Sequence, residues 1–113
     1  PAMEAISRFK QTRMTAYTVC LFPVKPGMED KFVAIQRASL QGDMPGALDA
    51  ALIKTGDRTY CFIGKWGSFN DIIGARPQMI GFLDEVRGYL EDLGGGLGVT
   101  DPISGEVVVE LAK

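Results

Sequence analysis

A chain of 113 residues is the size of one domain and long enough to bury a core. Hydrophobic residues make up 46% and charged residues 23%, a folded protein's composition that excludes intrinsic disorder. A net charge of −2 with no cluster of Lys and Arg offers nothing to a nucleic-acid backbone, and no apolar run approaches the roughly 18 residues of a membrane-spanning helix.

Met3, Ile6, Phe9 and Arg13 recur at helical spacing, which predicts a short amphipathic helix or a loose N-terminal arm over 1–14, ahead of one domain over 15–113. From Thr15 to Val24, Tyr17, Val19 and Leu21 alternate with Thr18, Cys20 and Phe22, the pattern of a strand. Pro23 and Pro26-Gly27 break it. A helix is expected from Met28 to Ser39, with Glu29 and Asp30 in its first turn and Met28, Phe32, Ile35 and Ser39 on one face. Gln41 to Gly46 reads as loop, Ala47 to Thr55 as a second strand, Gly56-Asp57 as a turn and Thr59 to Trp66 as a third strand.

Ser68, with Asp71 three residues on, caps a short helix that Arg76-Pro77 should interrupt, because proline disfavours the helical conformation just before it. A longer helix is expected from Pro77 to Leu93, its apolar stripe running from Met79 through Leu83 and Val86 to Leu90, with Gly94 as its stop. The glycine-rich stretch Gly94 to Gly105 reads as a flexible connector or lid. It follows a helix, so the cradle of backbone N–H groups found at a helix N-terminus is missing. A last strand is expected from Glu106 to Leu111. The order β-α-β-β-α-α-β is the split βαβ arrangement of an α+β, ferredoxin-like antiparallel sheet.

Helices on one face of such a sheet leave the other bare, and a face open to water should be polar. These strands are apolar on both sides: Val19 and Leu21 as well as Cys20 and Phe22, Cys61 and Ile63 as well as Tyr60, Phe62 and Trp66. The uncovered side calls for the same face of a second chain about a two-fold axis, hence a homodimer through the sheet face. A monomer is the alternative.

Histidine is absent, which removes the commonest general base and metal ligand and leaves no material for Ser-His or Cys-His catalysis or a zinc site. Cys20 and Cys61 stand alone in their strands. They form either one disulfide or a reduced, buried pair, and the first ten residues lack the apolar core of a secretion signal, which points to reduced thiols and the cytoplasm.

Three stretches carry a resemblance. Tyr17 to Val24 followed by Lys25-Pro26-Gly27-Met28-Glu29-Asp30-Lys31-Phe32, then Pro45-Gly46-Ala47-Leu48, then Phe62-Ile63-Gly64-Lys65-Trp66-Gly67-Ser68 occur in the order and spacing of antibiotic biosynthesis monooxygenase (ABM) domains, which the chain resembles over roughly residues 15–111. The resemblance implies a dimeric α+β barrel with a pocket between sheet and helices in each subunit. It implies cofactor-free oxygenation of phenols and quinols, in which the deprotonated substrate itself reduces dioxygen. The haem-degrading branch of the family uses a helix histidine and a first-strand asparagine; these positions fall near Leu83 and Cys20 here, which disfavours haem breakdown. No cofactor is therefore expected.

Trp66 is the residue the family motif singles out as pocket-lining; alternatively it packs the sheet on a helix. Asn70, one turn on, presents an amide to a bound oxygen atom or to solvent. These two are the catalytic candidates, with Tyr17, Tyr60, Phe62 and Arg76 as substrate-binding candidates. The tyrosines would hydrogen-bond a ligand hydroxyl or carbonyl, or else only fill the barrel; Arg76 would orient an anion or cap a helix end. Arg87 and Glu91, four apart, read as an ordinary surface pair. The expected partner is a small hydrophobic or aromatic molecule, and the expected activity is a monooxygenase-like reaction on a small phenol, quinol or similarly electron-rich compound. The alternative is a non-catalytic homodimer that binds a ligand or serves as an interaction module.

Overall fold

The computed structural model describes residues 15–96 and 98–111; the expected N-terminal helix or arm lies outside them. Four strands, β1 (Ala16–Pro23), β2 (Ala47–Lys54), β3 (Thr59–Trp66) and β4 (Asp101–Glu106), form one sheet in the order β2-β3-β1-β4, antiparallel throughout. Helices α1 (Glu29–Leu40) and α2 (Phe69–Val86) connect them, and a short 3-10 turn, Arg87–Tyr89, follows α2. This is the ferredoxin-like α+β arrangement.

Local chemistry sets these boundaries. Glu29 and Asp30 begin α1 and Arg37 lies in its last turn, each sign matching the helix dipole. The Ser68 hydroxyl accepts from the Asp71 backbone N–H at 3.1 Å and starts α2. Gly46, at φ +85°, closes the turn into β2, where a Cβ would stand 2.6 Å from the Asp71 side chain.

Both helices pack on one face. Cross-strand pairing puts Ala50, Gly64, Thr18 and Ser104 in one row on that side, and Leu52, Phe62, Cys20 and Pro102 in the next. The core there has two parts. Phe32 of α1 stacks between Phe22 and Tyr60, ring centroids 5.3 Å away on either side, with Val24, Phe62, Val86 and Leu90 around them. Trp66, Ala16, Ile72 and Ala75 form the second part. The opposite face carries the row Ala51, Ile63, Val19, Ile103 and the row Ile53, Cys61, Leu21, Asp101. Ile103 is 65% exposed and Ile53 43%, so that apolar face is open to solvent in the single chain. Cys20 and Cys61 sit in neighbouring strands but point to opposite faces; both are free thiols, which settles the disulfide alternative against a bond between them.

Three boundaries differ from expectation. Pro77 lies inside one continuous helix and does not end it. The bond it forfeits is to the carbonyl of Ile73, an exposed residue, where water can take the vacancy. The helix stops at Val86 instead of Leu93, because the next residues peel off to the end of β1: Lys25 N–H donates to Tyr89 O at 2.8 Å and Glu91 N–H to Pro23 O at 2.8 Å. That pairing buries Leu90 beside Val24. The last strand is Asp101–Glu106, one segment earlier than its composition suggests. Its partner β1 begins at Ala16, opposite Glu106, so Val107 bonds Thr15 O at 2.8 Å and the strand-prone Val108, Val109 and Leu111 are exposed. Pro102 is tolerated because β4 is an edge.

Candidate functional site

Between the two parts of the core lies a cavity of about 510 Å³, a volume suited to a small organic ligand. Its wall from α2 is apolar: Phe69, Ile72, Met79, Ile80, Phe82 and Leu83. Leu40 and Met44 close one end, and beyond them a smaller surface hollow of about 310 Å³ shares Ser39, Leu40 and Met44. The loop that carries Met44 is tied to α2 by Gln78 Nε2, which donates to Asp43 O at 2.8 Å. Arg76 lines the cavity yet is exposed, which puts its guanidinium at the mouth.

The rest of the lining is different. Thr18, Gln36 and Thr100 are the three buried polar side chains among the described residues, and all three line this one cavity. Ser104 joins them from β4, its hydroxyl 3.4 Å from that of Thr18. Cys20 also lines the wall. Burial pushes its thiol up to about 11, more than the opposing hydrogen bond with Thr100 restores, so it is neutral at physiological pH. The interior is therefore apolar with a neutral hydrogen-bonding edge.

Of the residues singled out from sequence, Phe62 and Arg76 line the cavity. Trp66 is wholly buried beside it, and its indole N–H has no hydrogen-bond partner among the described residues. Tyr60 lies in the core against Phe32. Asn70 is exposed in the first turn of α2. Tyr17 stands on the open face of the sheet, paired with Lys65 and Gly105. The structure thus brings Phe62 and Arg76 together at the cavity and leaves the other four outside its lining. Sequence reasoning missed Thr18, Gln36, Thr100 and Ser104. A signal existed for Gln36, which is four residues after Phe32 and so shares its inward face.

The geometry has counterparts among solved structures. A conserved protein from Methanosarcina mazei superposes with a TM-score of 0.71 at 11% identity, covering 88% of this chain and 98% of that one. SnoaB, a cofactor-independent oxygenase from Streptomyces nogalater, gives 0.69 at 15% identity, covering 88% and 99%. A monooxygenase from the gene ActVA-Orf6 of Streptomyces coelicolor, in complex with nanaomycin D, gives 0.65 at 20% identity, covering 89% and 94%. The fold is that of the ABM domain proteins. At these identities the likeness is one of fold. No protein-family model matches the sequence, and no curated protein matches it either.

Among the described residues no group of three His, Cys, Asp or Glu side chains gathers to hold a metal ion, and no helix is long and apolar enough to cross a membrane.

Proposed function

We propose that this ABM-fold chain is the subunit of a homodimeric, cofactor-independent monooxygenase whose cavity takes a small, electron-rich phenol or quinol. The observation that carries the reading is the cavity itself. An apolar chamber with a few fixed polar groups, in the fold of an oxygenase that works without a cofactor, is what a substrate needs when it must do its own chemistry. An ionised substrate passes electrons to dioxygen directly. Hydroxylation of a quinol to the hydroxyquinone by one dioxygen, with release of one water, balances with the substrate as sole reductant.

The protein's part is to bind, orient and exclude water. The lining supplies no base at neutral pH, since Cys20 holds its proton and no carboxylate or histidine faces inward. The substrate must therefore ionise readily by itself, and Arg76 at the mouth is the cation that favours its anion. Phe62 supplies a ring wall. Trp66, wholly buried and outside the lining, packs in the core with Ile72 of the cavity wall. Tyr17, Tyr60 and Asn70 are given no contact with substrate.

The dimer is supported by the rows Ala51-Ile63-Val19-Ile103 and Ile53-Cys61-Leu21, too apolar to be left in water. Two unpaired thiols fit a reducing compartment, the cytoplasm. Oxygen uptake on addition of acidic quinols tests the catalytic reading. The missing internal base favours one alternative, a dimer that binds a neutral ligand without turnover; it predicts a raised Tm and no oxygen uptake.

A further inference from the structure

Buried polar side chains are costly unless they meet a partner, and proteins seldom keep them without one. Here the three buried polar side chains of the described residues converge on one chamber from three elements. Thr18 comes from β1, Gln36 from α1 and Thr100 from the residue before β4. Thr18 is within reach of Ser104, and Thr100 lies beside the Cys20 thiol. The Gln36 amide makes no hydrogen bond with a described residue, although the residue is only 6% exposed and lines the cavity. Leucine or methionine at this position would have completed the apolar wall at no desolvation cost. No charged side chain is buried on the lining to demand an ionic group inside.

We propose that Gln36 is the specificity-determining residue of the cavity, selecting ligands whose apolar body carries a neutral oxygen, a carbonyl or hydroxyl, on the edge that faces Gln36. The amide can donate to a carbonyl or accept from a hydroxyl, and Thr18 and Thr100 line the same cavity. A ligand without that oxygen leaves the amide buried and dry, which is how a polar site rejects an analogue it could otherwise enclose. The inference rests on the cavity being the binding site proposed above.

A matched pair separates the two claims: 9-fluorenone, with one ring carbonyl, and fluorene, with a methylene in its place. Hydrophobicity alone favours fluorene. The wild-type protein is expected to bind fluorenone about tenfold more tightly in a fluorescence titration, the worth of one net hydrogen bond. Gln36→Met, close in volume, should abolish that preference while binding fluorene at least as well. Gln36→Leu serves as the second variant, and thermal unfolding checks that each is folded. Wild-type protein that binds both compounds without preferring fluorenone overturns the role of Gln36 and leaves the cavity reading standing. So does a preference that survives in folded Gln36→Met. Wild-type protein that binds neither overturns the cavity reading itself, and this inference with it.

Discussion

A Cβ on Gly64 would stand 3.0 Å from the indole nitrogen of Trp66. The same atom would lie 3.0 and 3.2 Å from the Phe62 ring, so the bare backbone at 64 is what lets both aromatic rings lie down on β3. Gly64 also faces Thr18, a cavity-lining residue, across the strand pair. Gly64→Ala is expected to destabilise the fold by about 1–3 kcal/mol through overpacking, measured by urea denaturation. An unchanged midpoint would show that the rings have room to give.

Cys20 provides a pH signature. Its thiol is raised by burial from 9.0 to about 11 in the folded chain. Being raised, it contributes stability that is present below the unfolded value and lost as pH rises through the folded one. Tm should therefore fall between about pH 9 and 11, and Cys20→Ala should flatten that decline. At pH 8 alkylation of Cys20 should run about a hundredfold slower than that of an unshifted thiol, read by mass spectrometry of the digested protein.

The open sheet face makes a third prediction. Val19 is central in its row, between Ile63 and Ile103. Val19→Lys would place a charge in the middle of the proposed interface and should convert a dimer into a monomer at micromolar concentration, by sedimentation velocity. Sedimentation of the wild-type chain as a monomer would remove the interface altogether.

Pro77 supplies a fourth. It occupies a helix interior in place of a residue that could bond Ile73 O, and it is exposed. Pro77→Ala should stabilise α2, raising the unfolding free energy by about 1–3 kcal/mol. A loss of stability would mean that proline's restriction of the unfolded chain outweighs the missing bond.

How far this architecture was legible in the sequence depends on where local pattern and tertiary pairing agree. Thr59–Trp66 could be read directly because its alternation matches its burial, residue by residue. The two apolar faces were legible for the same reason. The end of α2 was not: Tyr89 and Leu90 continue a helical stripe perfectly well, and only their bonds to Lys25 and Pro23 pull them away. Val107–Leu111 has the better strand composition, yet Asp101–Glu106 takes the place beside β1, since register decides and β1 has already ended. The site suffered more. Motif logic pointed to Trp66 and Asn70, whereas the cavity is edged by Thr18, Gln36 and Thr100, whose types are ordinary and whose meaning comes from being buried together. Thr100 and Ser104 lay in a stretch that reads as connector.

Reaction of an ionisable quinol with dioxygen in this chamber should need no help from a bound group. It is tested most directly with an oxygen electrode, metal-free protein and a panel of acidic quinols, beside Ser104→Trp, which plugs the cavity from the edge strand. Protein-dependent oxygen uptake is expected, one dioxygen per substrate oxidised, reduced at least tenfold in the plugged variant. Uptake no faster than in buffer, or uptake that the folded plugged variant leaves intact, would contradict it.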